Sequence, residues 1–249
     1  MDQSVLRKKF PLGYKFYQET IGEIYHEFFC FGSILRRLST KQLLKLERNT
    51  FDPVRVAYDF KGIGLYKKIE PFQIEEEIRG LYEIVKEQKP KIICEIGSDM
   101  GGTLYMWSKV MDPNGMAISI DLPRLYRKSL NRFFKNFFQN NSQLECIRYD
   151  SHLQICLRKF EKILKNRKID FLFIDGDHSY KGVSKDFEMY SRYVKNNGII
   201  AFHDIVEDTT PEDICGVHRF WNEIKQNYKY KEIIANPNQI GAGIGILYC

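Results

Sequence analysis

Ile93-Cys94-Glu95-Ile96-Gly97-Ser98-Asp99-Met100-Gly101-Gly102-Thr103 is the stretch that decides the fold. A short apolar run ends in an acid and passes directly into a glycine turn. Gly97 lets the main chain turn tightly. Gly101 and Gly102 allow close approach to the main chain where a helix is expected to begin. Exposed N–H groups at such a helix start favour a carboxylate or a phosphate. A tight strand-to-helix turn without any ligand is the plainer use of the same residues.

Outward from this turn, the same unit repeats. Apolar runs at Ile92–Ile96, Met116–Ile120, Phe171–Ile174 and Ile199–Phe202, with a weaker one at Leu144–Arg148, are separated by helical or loop segments. Strands that read as continuous apolar runs are buried on both faces, so the pattern predicts an α/β fold with a mostly parallel sheet between helices. Phe72, Ile74, Ile78, Leu81, Ile84 and Val85 recur at helical spacing and place a helix over 72–88, ended by Pro90. Further helices are expected over 180–195 and 216–227, with Asn196-Asn197-Gly198 as the turn into the next strand. Lys231–Ala235 and Gly243–Tyr248 are joined by Asn236-Pro237-Asn238-Gln239, too short for a helix, and should pair as an antiparallel hairpin. Residues 1–70 show no strand pattern. They read as an N-terminal helical extension, with helices near 14–30 and 40–48 and a loop through Pro53 and Gly62–Gly64, ahead of a domain over 71–249.

In open parallel sheets ligands sit outside the carboxyl ends of the strands. Asp121 ends the second strand, where a carboxylate is placed to accept from both hydroxyls of a ribose; capping a turn is its simpler use. Asp150 and Ser151 follow the third strand, placed either to meet an adenine edge or to cap a helix. Asp175-Gly176-Asp177-His178 and His203-Asp204 follow the fourth and fifth. Asp175 and Asp204 should face one crevice. Two carboxylates and an imidazole are a donor set for a divalent cation that lowers the pKa of a substrate hydroxyl. The metal-free alternative makes His178 the general base.

The composition narrows the setting. Six cysteines form no C-x-x-C pair, which argues against a zinc site or a disulfide framework and for reduced thiols in a cytoplasmic protein. No secretory signal is visible. Ile24–Leu35 contains His26 and Glu27 and is too short to span a bilayer, so no transmembrane segment is expected. A net charge of +6 is mild. The basic run from Arg124 to Lys135 reads as a solvated helix face, and no nucleic-acid partner is expected.

Glu95-x-Gly97-x-x-x-Gly101-Gly102, Asp121, Asp175-Gly-Asp-His178-Ser-Tyr180 and Gly198-Ile-Ile-Ala-Phe-His203-Asp204 together resemble class I S-adenosylmethionine-dependent methyltransferases. The nearest resemblance is to the group labelled cephalosporin hydroxylase, which is similar to macrolide-sugar and rhamnosyl O-methyltransferases. It covers residues 72–249. It implies a Rossmann-like seven-stranded sheet closed by the C-terminal hairpin, and O-methylation of a sugar or other small hydroxylated metabolite. It further implies that Glu95, Gly97, Ser98, Gly101 and Gly102 cradle the methionine end of S-adenosylmethionine, that Asp121 holds the ribose, and that Asp150 and Ser151 face adenine. Asp175, beside the cofactor, would join His178 and His203 in catalysis. In metal-dependent relatives an acid after the fourth strand and an acidic pair after the fifth hold Mg2+ or another divalent cation. Asp175 and Asp204 match two of these positions, and His203 stands where the third is a carboxylate, a departure because Mg2+ prefers oxygen. The extension would cap the substrate pocket or join a homo-oligomer, and the loop from Val206 to Gly216 would form a lid. Two other readings stay open: a nicotinamide-dependent oxidoreductase, against which the G-x-G-x-x-G spacing is missing, and a non-catalytic module of the same fold. In the latter, Tyr14, Phe16, Tyr17, Phe28, Phe29 and Phe31 would offer a partner surface.

Overall fold

A computed structural model describes residues 20, 22–29, 31–124, 126–139, 141–211 and 213–249. Seven strands form one sheet in the order β3-β2-β1-β4-β5-β7-β6. They are β1 (Ile92–Ile96), β2 (Met116–Asp121), β3 (Gln143–Arg148), β4 (Ile169–Ile174), β5 (Val194–His203), β6 (Lys229–Ile233) and β7 (Ile244–Tyr248). The first five run parallel. β7 lies antiparallel between β5 and β6. The expected seven-stranded, mostly parallel sheet with a C-terminal antiparallel hairpin is therefore what forms.

Alternation along the central strands divides the core in two. Ile93, Phe171, Phe173, Ile199 and Ala201 face one side with Trp107, whose indole meets Phe171 edge-on at 5.0 Å. Cys94, Ile118, Leu172, Ile200 and Phe202 face the other. The helices α4 (Glu75–Gln88) and α5 (Gly102–Val110) cover the first side. The second is covered by α7 (Gln154–Leu164), α8 (Tyr180–Tyr190) and α9 (Val217–Ile224). Between β2 and β3 lies α6 (Arg127–Phe134).

Ahead of these come α1 (Gly22–Phe29), α2 (Gly32–Thr50) and α3 (Pro53–Asp59). Leu43, Val54, Val56, Ala57, Phe60, Tyr66 and Ile69 belong to the same core as the sheet's first side, so chain on both sides of position 70 packs as one body. The loop expected through Pro53 is instead a helix. Asp52 caps it by accepting from Val54 and Arg55 N–H, and Pro53 sits in its first turn, where its missing N–H costs nothing. The first part of the helix expected near 14–30, with Tyr14, Phe16 and Tyr17, lies outside the described residues, as does Cys30.

The helix expected over 180–195 stops at Tyr190, and β5 already begins at Val194. Asn196-Asn197-Gly198 is not a turn before the strand but an irregularity within it. The register shifts between Ile169–Val194 and Phe171–Ile199, Asn197 adopts φ 65°, and its N–H donates to the carbonyl of Cys249. No disulfide joins Cys94, Cys146, Cys156, Cys215 or Cys249. Among the described residues no helix is long and apolar enough to cross a membrane.

Candidate active site

Register brings the strand ends together. Ile96 is paired with Ile120 on one side and Ile174 on the other, and Ile174 with Phe202. Gly97, Asp121, Asp175 and His203, each the next residue or the strand's last, therefore leave four adjacent strands at one level. They border a cleft of about 900 Å³ that also takes in Asp150, Ser151, His178 and Asp204. Its volume is in the range of small-molecule and cofactor sites.

The glycine turn works differently from expectation. Gly97 has φ 92°, and a Cβ there would stand 1.9 Å from the carbonyl oxygen of Asp175, so glycine is required for β1 to pass β4. Gly101 has φ 86° and lies against the ring of Phe134, where a Cβ would meet carbon at 2.6 Å. Gly102 lies against the carbonyl of Ile69, at 2.1 Å from such a Cβ. Both small residues make room for protein rather than line the cleft. Ser98, almost fully buried, shares a 2.6 Å hydrogen bond with Ser119.

Glu95 also sits behind the cleft. It is fully buried on the α5 side of the sheet and accepts from the indole N–H of Trp107 at 2.9 Å. Burial pushes its pKa up to about 7. Alternation explains the placement: Glu95 shares its face with Ile93, packed under α5. Of the expected methionine cradle, Gly97 reaches the cleft wall; Glu95, Ser98, Gly101 and Gly102 shape it from behind.

At the end of β2, Asp121 is buried. Its Oδ1 accepts from Leu122 N–H at 2.6 Å and its Oδ2 from Arg127 Nη2 at 3.0 Å. Arg127 Nη1 donates to the carbonyl of Asp99 at 2.5 Å. Burial lowers the Arg127 pKa to about 10, which leaves it charged at neutral pH. At the end of β3, Asp150 accepts from the backbone N–H of His152, so part of its role is a turn cap. Ile120, Leu122 and Tyr149 supply apolar wall beside Asp150 and Ser151.

At the other end, Asp175, His178 and Asp204 each present an atom within 4.8 Å of the others'. His178 Nδ1 is 2.7 Å from Asp204 Oδ2, and His178 Nε2 is 3.4 Å from Asp175 Oδ1. Hydrogen bonding to Asp204 raises the His178 pKa. His203 is not among the three grouped ligand atoms. It is 6% exposed and sets Nδ1 against both carboxylates, 3.3 Å from Asp175 and 3.2 Å from Asp204. Burial opposes its charged form, but the two carboxylates outweigh burial and lift its pKa to about 10. The three residues whose ligand atoms converge are thus Asp175, His178 and Asp204, and His203 lies behind them.

Several wall residues were not singled out from sequence. Gln73, 5% exposed, donates from Nε2 to Asp175 Oδ2 at 2.7 Å. Phe72, Asp99 and Arg124 join the rim, and Asp208, Thr210, Ile214 and Cys215 bring the loop after β5 over the cleft. Asp208, Thr210, Ile214 and Cys215 belong to the loop expected as a lid over Val206–Gly216, whereas Gln73 had no advance signal.

Residues 94–205 match the protein family described as methyltransferase domain. Over those residues the chain is similar to methyltransferase domains. The likeness read from the glycine turn and the strand-end acids holds at the level of domain and fold. Over 78 residues the chain is 37% identical to an uncharacterized protein of Acanthamoeba polyphaga mimivirus. That match covers 29% of this chain and 35% of its relative, so it spans about a third of that protein's length. The methyltransferase fold is shared with the O-methyltransferase TomG of Streptomyces achromogenes in complex with SAM, at TM-score 0.55 and 12% identity over 84% of this chain and 89% of that one. It is shared also with CalS11, a TDP-rhamnose 3′-O-methyltransferase, at TM-score 0.50 and 15% identity over 84% and 92%.

Proposed function

We propose that this chain transfers the methyl group of S-adenosylmethionine to a hydroxyl of a small, polar metabolite, with a sugar as the preferred acceptor class. One observation carries the reading. A single cleft is lined at once by Asp121, Ile120, Leu122 and Asp150, which would take the adenosine, and by Asp175, His178 and Asp204, which would take the acceptor's proton.

When bound, S-adenosylmethionine supplies a methyl group on a sulfonium, a leaving group that needs no acid. The protein's part is alignment and removal of one proton. Holding two reactants in line is worth on the order of 7–11 kcal/mol. Asp204 fixes the His178 ring through Nδ1, which leaves Nε2 as the basic atom beside Asp175. The acceptor's O–H proton passes to Nε2. With the cofactor bound, the acceptor oxygen's lone pair would become the new C–O bond, and the pair of the broken C–S bond would stay on sulfur. His203, already charged, offsets the negative charge of the two carboxylates.

The same end fits a divalent cation: two carboxylates and an imidazole converge, each presenting an atom within 4.8 Å of the others'. Asp175, His178 and Asp204 would hold it, and it would supply Lewis-acid activation of the acceptor hydroxyl. The sugar preference rests on the polar mouth, where Asp177, Asp208 and Thr210 offer hydrogen bonds to a polyhydroxylated ligand. It also draws on the fold shared with CalS11, a TDP-rhamnose 3′-O-methyltransferase.

The test is methyl transfer from radiolabelled S-adenosylmethionine to a panel of nucleotide sugars and free glycosides. Labelled product that disappears in Asp175→Ala and Asp204→Ala supports the reading. Cofactor binding without turnover on any hydroxylated acceptor supports the non-catalytic alternative, and thermal stabilisation by NAD alone overturns the cofactor assignment.

A further inference from the structure

We infer that Glu23, on the N-terminal helix α1, is a positioning residue for the ribose contact, and that the docking of α1 completes the cofactor end of the cleft. The inference rests on the S-adenosylmethionine reading above.

The first turn of α6 is where α1 meets the cofactor end of the cleft. A helix leaves its first N–H groups without intrahelical partners. Tyr126 stands at the N-cap position of α6 with φ 61°, and its side chain does not cap the helix. The cap comes from α1, more than a hundred positions away in sequence. Glu23 Oε1 accepts from the backbone N–H of Ser129 at 3.0 Å, and Glu23 Oε2 accepts from Ser129 Oγ at 2.6 Å. Ser129 is wholly buried and Glu23 is 5% exposed, so water does not replace these bonds in the docked state. A carboxylate at a helix N-terminus also meets the favourable end of the helix dipole.

Docking has a second attachment. Glu27, one turn along α1, lies 2.7 Å from Arg36 of α2, 2.9 Å from Arg132 of α6 and 3.0 Å from Ser129 Oγ, whose proton goes to the nearer Glu23. The two glutamates thus clamp one face of α6.

The residue that this clamp places is Arg127, at the first position of α6. Its guanidinium is 1% exposed and bridges Asp121 Oδ2 and the carbonyl of Asp99. Asp121 and Asp99 both border the cleft. Arg127 therefore fixes the orientation of the ribose acid and pins the turn after β1, while Glu23 fixes the turn of helix from which Arg127 projects. Asp121 has one carboxylate oxygen on Leu122 N–H and the other on Arg127, and its remaining lone pairs are aimed only as well as those partners are held.

The experiment uses the full-length chain and calorimetric titration with S-adenosylhomocysteine and with its 2′-deoxy counterpart, which lacks one ribose hydroxyl. Glu23→Ala is expected to weaken S-adenosylhomocysteine about tenfold, the scale of one charge-assisted hydrogen bond. The 2′-deoxy ligand should weaken much less, so the preference for the ribose ligand shrinks. Glu23→Gln keeps one acceptor and should fall between. Ser129→Ala removes only the hydroxyl partner and should give a smaller shift in the same direction; it and Glu23→Gln serve if Glu23→Ala does not fold. Equal loss for both ligands, as from general loosening, overturns the positioning role. So does unchanged affinity in Glu23→Ala and Glu23→Gln when wild type binds. No S-adenosylhomocysteine binding by wild type overturns the cofactor reading and this inference with it.

Discussion

Asp204 Oδ2 stands 2.7 Å from Nδ1 of His178, while the other nitrogen of that ring faces Asp175 Oδ1 at 3.4 Å. The ring is held from one side and open toward the cleft on the other. This is the arrangement in which a carboxylate selects the tautomer of a histidine base. Asp204→Asn should keep the fold and the affinity for S-adenosylhomocysteine, yet lower kcat by about a hundredfold, the scale of general-base catalysis. His178→Gln should match it. Steady-state kinetics beside a binding titration decide the matter; a variant that loses affinity and leaves kcat intact would place Asp204 at the cofactor instead.

His203 gives the protein an alkaline limit. Its pKa rises from the ordinary 6.5 to about 10 on folding. Below about 6.5 the folded and unfolded chains both carry the proton, and the stabilisation is fully present. It is lost as pH climbs from there through about 10. Asp204 works at the acid end: folding holds its pKa well below the ordinary carboxylate value, so its contribution is present above that value and fades as acid protonates it. Melting temperature should be highest between these limits and decline from neutrality upward, and His203→Gln should flatten the alkaline decline. A wild-type melting temperature that rises steadily from neutral to alkaline pH is incompatible with a charged His203.

Much of this arrangement was legible in the residues because buried parallel strands advertise themselves. Ile92–Ile96 and Phe171–Ile174 are buried throughout, and Gly97 and Asp175, which follow them, mark where the sheet ends. The same logic failed where local signals carry two meanings. Pro53 reads as a loop breaker, yet after Asp52 it opens a helix. Asn197-Gly198 reads as a turn, yet here it is a bulge in β5. Which way an acid points was legible only in part. Asp121 and Glu95 each end or nearly end a strand, but alternation buries Glu95 under Trp107. Contacts such as Gln73 to Asp175, 102 positions apart, leave no trace in periodicity or spacing.

Cation affinity should depend on proton competition. A metal held by Asp175, His178 and Asp204 needs His178 neutral, and Asp204 raises the pKa of that ring. Mg2+ or Mn2+ should therefore bind more tightly at about pH 8.5 than at about pH 6. Titration calorimetry at the two values, repeated on Asp204→Asn, checks this. Absence of binding at both, together with activity that survives chelator, would assign the site to metal-free proton transfer.

The glycines test which side of the turn they serve. Gly102→Ala places a methyl group against the carbonyl of Ile69, at 2.1 Å, and near Pro71, on the seam between the N-terminal segment and α5. Backbone cannot yield there as a flexible side chain would, and overpacking typically costs about 1–3 kcal/mol. Were Gly102 a cofactor contact, its loss would appear in affinity first. The packing seen here predicts the reverse: a lower denaturation midpoint, with S-adenosylhomocysteine affinity close to wild type in the fraction that folds. Gly97→Ala differs, because its Cβ would collide with the backbone of Asp175 inside the cleft wall at φ 92°. That variant should lose both stability and binding. Urea titration and ligand calorimetry on the pair would separate the roles, and affinity loss in Gly102→Ala at unchanged stability would return that glycine to the cofactor loop.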